Sequence, residues 1–221
     1  MSVSAVLLAA GRGERLGSDR PKAFARLGER PLLAESLERL DASTWVETIV
    51  VAAPEGWEEP VILLAEELGC QKVGEVVTGG ARRAESVRAG VAGVPADAPV
   101  ILVHDAARPL LEDIVVERVL TPLSQGWDGA VPGMPLADTV KRVEGETVVE
   151  TLDRSSLFAV QTPQAFAAET LRQALEGDIS AASDCSSLVE ARGGRVKVVP
   201  GDPRLLKVTT AADLERVTAL L

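Results

Sequence analysis

The chain has 221 residues, of which 46% are hydrophobic, and a mean hydropathy of +0.15. This composition is typical of a globular protein and excludes a disordered one. The formal net charge of −10 disfavours broad binding to nucleic acid or to anionic membranes. No apolar run reaches the roughly 18 residues of a membrane span, and the N-terminus lacks the basic region of a signal peptide. Because Cys70 and Cys185 lie far apart without metal-ligand spacing, we expect two reduced thiols in a cytoplasmic protein.

Short runs of branched apolar residues alternate along the chain with amphipathic segments. The runs predict strands at 4–10, 47–53, 72–77, 100–104 and 195–199. The amphipathic segments predict helices at 31–41, 57–69, 83–93, 111–125 and 167–176, and a last helix that begins at Thr209-Thr210. Since the strands are continuously apolar, the pattern indicates one α/β domain over residues 1–221. Its sheet is expected to be mostly parallel, with helices on both faces.

One region interrupts this alternation. The stretch TVKRVEGETVVETL alternates around Glu-Gly-Glu and predicts a β-hairpin. Because no helical segment is available to cover it, we interpret residues 133–164 as a protruding β-arm that packs on a second subunit and makes a homodimer. The alternative is a hairpin that folds onto its own domain.

The first predicted strand leads into a glycine loop, GRGERLGSDRPK, which holds four basic and two acidic residues. A dinucleotide fingerprint is excluded because Leu16 stands where the third glycine is needed, and the Gly-Lys-Ser/Thr of a Walker A loop is absent. Two glycines that let backbone amides approach an anion remain, with Arg15 and Lys22 as charged donors. This pattern predicts a small polyanionic ligand; an ordinary surface turn with solvated basic residues is the alternative.

Further polar groups follow later strands. GGARRAESV, with Ser86, would bring backbone groups and a hydroxyl to a nucleotide base, unless it is only a helix N-terminus with a glycine turn. VHDAARP places Asp105 at a strand end, where a carboxylate suits Mg²⁺, and adds Arg108. His104 is interpreted as structural, because no partner histidine is available for a zinc site. Lys207, near the end of the last strand, is either a second functional lysine or a surface lysine.

The order of these motifs is more specific than any one of them. AAGRGERLG with PK, GGARRAESV, VHDAARP, DTVKR, DRSSLFAVQTPQ, SDCSSL and LLKVTTAADL extend over nearly the whole chain. The chain thereby resembles the 2-C-methyl-D-erythritol 4-phosphate cytidylyltransferase family of the non-mevalonate isoprenoid pathway. The resemblance implies a Rossmann-like nucleotidyltransferase fold with a β-arm that interlocks a homodimer. It also implies a reaction that joins CTP and methylerythritol phosphate, with Mg²⁺, to give 4-diphosphocytidyl-methylerythritol and pyrophosphate.

The resemblance also implies site residues. Nucleotide contacts are expected from Ala9, Ala10, Gly11, Gly13, Gly79, Gly80 and Ser86. The expected catalytic cations are Arg15, Lys22 and Lys207, and Asp105 is expected to bind the metal. Contacts to the sugar phosphate are expected from Asp105, Ala106, Arg108, Thr162 and Asp184, and from Thr139 and Arg154 of the neighbouring subunit's arm.

Two other functions share parts of this pattern. A ribitol 5-phosphate cytidylyltransferase would share the CTP half of the site. A non-catalytic CTP-binding regulatory protein on the same fold could dispense with Lys22, Lys207 or Asp105, all of which are present. We therefore predict a cytidylyltransferase that acts on methylerythritol phosphate.

Overall fold

A central sheet organises the chain in a computed structural model that describes residues 2–17, 20–180 and 182–221. Asp19, one of the two acidic residues counted in the glycine loop, lies outside these ranges. The sheet runs in the order β10-β7-β11-β6-β1-β4-β5, and β12 pairs with β7. β6, β1, β4 and β5 are mutually parallel, as are β7 and β12, whereas β11 and β10 run antiparallel to their neighbours. The prediction of a mostly parallel sheet is confirmed.

Five strands of this sheet were predicted from the sequence, and each of them begins and ends within two residues of its predicted limits. The sheet has eight strands in the described residues. They are β1 Val3–Leu8, β4 Thr48–Ala53, β5 Val73–Thr78, β6 Val100–Asp105, β7 Gly129–Pro135, β10 Phe158–Val160, β11 Gln164–Ala167 and β12 Val196–Pro200. β2 Arg26–Leu27 and β3 Arg30–Pro31 form a small separate ladder. No strand was predicted at the positions of β2, β3, β7, β10 or β11.

Seven helices accompany the strands in the described residues, and six of them were predicted. They are α1 Leu32–Ala42, α2 Glu58–Leu68, α3 Arg83–Ala92, α4 Asp113–Leu120, α5 Ala168–Glu176, α6 Cys185–Ala191 and α7 Ala211–Thr218. The predicted helix at 111–125 is too long: α4 ends at Leu120, and Thr121–Gln125 continues as a 3-10 turn that contains Pro122. Proline lacks the amide hydrogen that an α-helix requires there. Thr210 caps α7 through a hydrogen bond from the Asp213 amide, as the threonine pair predicted.

Two apolar layers cover the two faces of the sheet. Val3, Ala5 and Leu7 of β1 point into the layer formed with α1, α2 and α4. Val6, on the opposite face of the same strand, packs with α3, α5 and α6. Because both faces are covered, the central parallel strands β1, β4 and β6 are almost wholly buried and mainly apolar, which confirms the predicted arrangement of helices.

The predicted hairpin is formed by β8 Val140–Glu144 and β9 Thr147–Leu152, which, among the strands of the described residues, pair only with each other. The predicted arm limits of 133–164 are wider than this hairpin. Residues 133–135 belong to β7 of the main sheet, and the chain returns to that sheet at Phe158. The chain leaves the sheet between Pro135 and Phe158.

None of the described residues forms a helix long and apolar enough to cross a membrane.

Close packing of α3 against β1 gives a first prediction. A Cβ at Gly90 would lie 2.3 Å from Val6 Cγ1. Alanine is favoured over glycine in a helix by about 1 kcal/mol, but overpacking a core costs about 1–3 kcal/mol. We expect Gly90→Ala to lower the free energy of unfolding in urea by about 1 kcal/mol or more. The same substitution in a Val6→Ala background should cost less; an equal cost in both backgrounds would contradict the contact.

Candidate active site

Four parallel strands end at the same edge of the sheet and bring their loops together there. β1 continues into Ala9 and Ala10, while β6 continues into Ala106, whose amide donates a hydrogen bond to Leu8 O over 3.0 Å. The sheet order reverses at β1, since β4 lies on one side of it and β6 on the other. In open α/β sheets ligands bind in the crevice outside the carboxyl ends of the strands at such a switch point.

A cleft of about 560 Å³ occupies this edge. Among the described residues, its basic lining side chains are Arg12, Arg20, Lys22, Arg82, Arg83 and Lys207. Its acidic lining side chains are Glu55 and Asp105. Six cations against two carboxylates make this cleft strongly positive in a chain whose net charge is −10. Such a concentration of charge favours a polyanionic ligand.

The glycine loop closes on itself at Lys22. The Lys22 amide donates to Gly11 O over 3.2 Å, and Gly13 has a φ of +74°. A Cβ at Gly13 would lie 2.8 Å from Lys22 Cβ. Glycine is therefore required at position 13 both by its backbone conformation and by the close approach of Lys22. Two residues beyond Lys22, the ring of Phe24 lies 4.5 Å from that of Trp57 at an angle of 45°.

Lys22 is half-buried among other charges. Burial, together with the positive charges of Lys207 and Arg15, lowers the pKa of its ammonium to about 8, although the negative charge of Asp105 opposes this shift. Lys207 and Arg15, the other two side chains predicted to be catalytic, therefore lie close enough to repel Lys22. An anion that enters among them relieves this repulsion.

Asp105 joins two of the cations. Its Oδ1 accepts a hydrogen bond from Arg83 Nε at 3.0 Å and forms an ion pair with Arg83 Nη2, also at 3.0 Å, and its Oδ2 accepts a hydrogen bond from Lys207 Nζ at 2.6 Å. Burial alone would raise the pKa of Asp105, but the charges of Arg83 and Lys207 outweigh burial and hold it well below the usual range. Asp105 is therefore an ionised carboxylate fixed between two cations.

His104 lies behind Asp105 and is fully buried. Its Nε2 lies 3.1 Å from Arg108 O, and its Nδ1 lies 3.2 Å from the hydroxyl of Thr162. That hydroxyl also accepts a hydrogen bond from the Asp105 amide over 3.0 Å. Burial lowers the pKa of His104 to about 4, so the ring is neutral at physiological pH. The predicted structural role of His104, bonded to the backbone, is confirmed.

The GGARRAESV turn is held by Ser86. The Gly80 amide donates to Ser86 Oγ over 3.1 Å, and Ser86 Oγ lies 3.3 Å from Gly80 O. A Cβ at Gly79 would lie 2.3 Å from Ala10 Cβ and 3.1 Å from Ala53 O. The turn can therefore pack against the end of β1 only because residue 79 is glycine.

The structure brings most of the residues predicted to contact the nucleotide into the cleft lining. These are Ala9, Ala10, Gly11, Gly79, Gly80 and Ser86, together with Lys22, Lys207, Asp105 and Ala106. Gly13 and Arg15 lie in the same loop outside the lining, and Arg15 is exposed.

The remaining predicted residues lie outside the cleft lining. Arg108 donates from Nη1 to Leu205 O over 2.5 Å, and Thr162 holds the Asp105 amide. Asp184 caps α6 and accepts a hydrogen bond from Gln164 Nε2 over 2.9 Å. Thr139 and Arg154 lie in the exposed arm, where Arg154 donates to Ala137 O. Their predicted roles toward a sugar phosphate stay predictions.

Several cleft residues were not singled out from the sequence. Arg83 and Arg82 stood in the quoted GGARRAESV motif, but nothing in the motif indicates which arginine faces Asp105. Trp57, at the N-cap of α2, gave no signal because an aromatic residue at a helix start is most simply a packing residue. The position of Trp57 is important because its ring contacts that of Phe24. This contact joins the turn at Lys22 to the wall of the cleft.

A doubly covered parallel sheet with a glycine turn and a basic cleft at its switch point defines an α/β protein of the nucleotide-binding class. The family model of the 2-C-methyl-D-erythritol 4-phosphate cytidylyltransferases (IspD) matches residues 3–221. The chain belongs to this family and is a nucleotidyltransferase enzyme of isoprenoid biosynthesis by the non-mevalonate route.

Individual relatives agree with the family match. The 2-C-methyl-D-erythritol 4-phosphate cytidylyltransferase of Nocardia farcinica is 44% identical over all of this chain and 94% of its own length. That of Saccharopolyspora erythraea is 44% identical over the full length of both chains. The crystal structure of the Thermus thermophilus enzyme is 34% identical, with a TM-score of 0.78 over 97% of this chain and 96% of that one.

The pKa of Lys22 predicts how its removal changes stability. Below pH 8 the ammonium is charged in both the folded and the unfolded protein, so the free enzyme bears the full cost of holding it among other cations. Between pH 8 and the ordinary 10.5 the folded protein loses the proton first, and this cost fades. We expect Lys22→Met to raise the free energy of unfolding by about 1 kcal/mol at pH 7, allowing for solvent screening, and by less at pH 10.

Urea unfolding without ligand at both pH values measures this effect. The matched control is Arg88→Met, which removes a positive charge from the exposed face of α3. Two outcomes would contradict the lowered pKa of Lys22. One is a Lys22→Met protein that is less stable than wild type at pH 7, and the other is a gain in stability over wild type that grows with pH.

Proposed function

We propose that the basic cleft binds the triphosphate of CTP and that its cations promote transfer of the cytidylyl group to 2-C-methyl-D-erythritol 4-phosphate. The observation that carries this proposal is the charge of the cleft, six cations against two carboxylates among its described lining residues. A triphosphate supplies the matching negative charge and relieves the repulsion around Lys22.

The reaction needs no general base. An oxygen of the methylerythritol phosphate attacks the α-phosphorus of CTP, the bond from that phosphorus to the bridging oxygen breaks, and pyrophosphate leaves. The second pKa of a phosphate monoester is about 6, so the nucleophile is already ionised at neutral pH. His104 could not serve as a base in any case, because it is buried and both of its ring nitrogens have hydrogen-bond partners.

The difficulty is electrostatic, because an anion must approach a polyanion. Lys22 and Lys207 would offset the charge of the triphosphate and stabilise the charge that develops on the reacting oxygens. Arg15 is exposed in the short 3-10 helix Glu14–Leu16 of the glycine loop, outside the cleft. From there it would reach the triphosphate, because a planar guanidinium suits phosphate oxygens. Holding both reactants in line supplies the rest of the rate enhancement.

The nucleoside would lie against the turns at the ends of β1 and β5. Ala9, Ala10, Gly11, Gly79 and Gly80 line this part of the cleft, and the Ser86 hydroxyl accepts a hydrogen bond from the Gly80 amide. Gly13 would act indirectly, by letting the loop close on Lys22.

The chemistry of Asp105 fits a magnesium ion shared with the substrate. Mg²⁺ prefers oxygen ligands and is commonly held by one or two carboxylates together with phosphates and water. Among the described residues no three acidic, histidine or cysteine side chains gather as a metal site. Asp105, a buried carboxylate at the cleft wall, would therefore hold the ion jointly with the triphosphate, through the lone pair of Oδ2 that its hydrogen bond from Lys207 leaves. When bound, the ion neutralises phosphate charge and polarises the phosphoryl group.

The methylerythritol phosphate would be held partly by a neighbouring subunit. The hairpin β8–β9 pairs with no other strand that the structure describes, and its Val143, Val148 and Val149 are exposed. A two-stranded hairpin is marginally stable in water, so it needs another surface to pack on. We assign this surface to a second copy of the chain in a cytoplasmic homodimer of single-domain subunits (residues 1–221), with 133–164 as the interlocking segment.

Residues of both subunits would then form one substrate pocket. Thr139 and Arg154 would come from the partner's arm. Ala106, Asp105 and the nearby Arg108, Thr162 and Asp184 would come from the subunit that holds the nucleotide.

Loss of Lys22 tests its catalytic role. We expect Lys22→Ala to fold and to release pyrophosphate from CTP and methylerythritol phosphate with kcat lowered by about 100-fold or more, the scale of a lost oxyanion donor. Steady-state pyrophosphate release with Mg²⁺ measures it, and Arg88→Ala is the control. Turnover close to wild type in a folded Lys22→Ala protein would refute the assignment.

Mixed dimers test the shared pocket. Arg154→Ala should raise the KM for methylerythritol phosphate and leave that for CTP nearly unchanged. A mixed dimer of one Lys22→Ala subunit and one Arg154→Ala subunit, isolated with two affinity tags, should contain one intact site and about half of the wild-type activity.

The converse dimer provides the matched control. A wild-type subunit paired with one that carries both substitutions has no intact site if the pocket is shared, and one intact site if it is not. Activity in the second dimer but not in the first, or a monomer by sedimentation at micromolar concentration, would contradict the shared pocket.

A further inference from the structure

Asp105 holds the ammonium of Lys207 in the described part of the chain. Lys207 lies in an irregular stretch between β12 and α7, and its side chain is 38% exposed. The backbone of this stretch is anchored, since the Val208 amide donates to Ala107 O over 2.8 Å. The ammonium itself makes its hydrogen bond to Asp105 Oδ2 at 2.6 Å. Because the four-carbon side chain of lysine is flexible, the direction of this ammonium depends on the position of Asp105 Oδ2.

The direction of the Asp105 carboxylate depends in turn on Arg83. Two nitrogens of the guanidinium, Nε and Nη2, lie 3.0 Å from Asp105 Oδ1. This leaves Oδ2 turned toward Lys207. The two nitrogens of the planar guanidinium together hold the position of Oδ1, whereas a lysine at position 83 would offer a single point charge.

Arg83 is itself fixed by neighbouring elements. It is the first residue of α3, and its Nη1 lies 3.6 Å from Sγ of the buried Cys185 at the start of α6. Burial raises the pKa of Cys185 to about 11, so this partner is a neutral thiol, and Asp105 is the side chain that balances the charge of Arg83. Contacts therefore run from α6 through Arg83 and Asp105 to Lys207.

We infer that Arg83 is a positioning residue for catalysis: it holds Asp105 so that Asp105 aims Lys207 at the triphosphate. This inference deepens the proposed function and rests on it. Arg83 acts through Lys207, so its removal should lower the rate of the chemical step more than the affinity for CTP. A misplacement of a reacting group by about 1 Å can cost on the order of 100-fold in rate.

Single substitutions give the first test. We expect Arg83→Gln to lower kcat by about 10- to 100-fold with a change of less than about threefold in the KM for CTP. Arg83→Lys should lower kcat nearly as much, because lysine keeps the positive charge but loses the contact of two nitrogens with Asp105. Arg88→Gln, which removes a charge from the exposed face of the same helix, should leave both parameters unchanged. Full activity in Arg83→Lys would overturn the inference, since charge alone would then suffice.

A pair of double-mutant cycles gives the second test. In a Lys207→Ala background, Arg83→Gln should change kcat by less than about twofold, because the group that it positions is gone. In a Lys22→Ala background, Arg83→Gln should keep its full effect. Equal effects in the two backgrounds would overturn the inference. Thermal unfolding and the stoichiometry of CTP binding by calorimetry correct each rate for misfolded protein.

The same experiments separate this inference from the proposed function. If wild-type protein binds CTP but releases no pyrophosphate with methylerythritol phosphate, the proposed function fails, and the enthalpy of CTP binding is compared across the same cycles. Coupling of Arg83 to Lys207 but not to Lys22 in that enthalpy would uphold the positioning role. Additive effects would overturn it.

Discussion

Repulsion among like charges is the constraint on which this site depends. Six basic side chains line one cleft, and the pKa of Lys22 is lowered because burial and its cationic neighbours disfavour its charge. The fold tolerates the arrangement because Asp105 lies between Arg83 and Lys207 and is held ionised by both. The cost of assembling the cations is present in the free protein, and the same cost is relieved when a polyanion binds. The clustered cations thereby lower the stability of the free protein, and they favour binding of a polyanion and stabilise negative charge during the reaction.

The parallel sheet makes this concentration of charge possible. The strands β1, β4, β5 and β6 all end at one edge, so their loops meet although they are far apart in the sequence. Small residues decide how closely these loops approach: Gly79 packs on Ala10, and Gly13 packs on Lys22. The backbone scaffold thus determines the cleft, and the charged side chains determine what enters it.

The elements that were predicted from the sequence are those whose pattern is local. β1 and β4 are continuous apolar runs, and the capping threonines of α7 indicate its start. β7 was missed because its sequence, GAVPGMP, carries two glycines and two prolines, which is typical of a loop. It is a strand because β11 and β12 pair with it on either side, a reason that lies outside the segment itself.

The sequence by itself determined the family, and it predicted the glycine loop and the residues of the cleft that stand in its motifs, because motif order and local composition are carried by neighbouring positions. Only the tertiary structure decided that Arg83, and not Arg82, reaches Asp105, and that Asp105 in turn holds Lys207. Adjacent residues on a helix point about 100° apart, and Lys207 lies 102 positions beyond Asp105. Pairing of this kind depends on which surfaces the sheet brings into contact, and no local pattern encodes it.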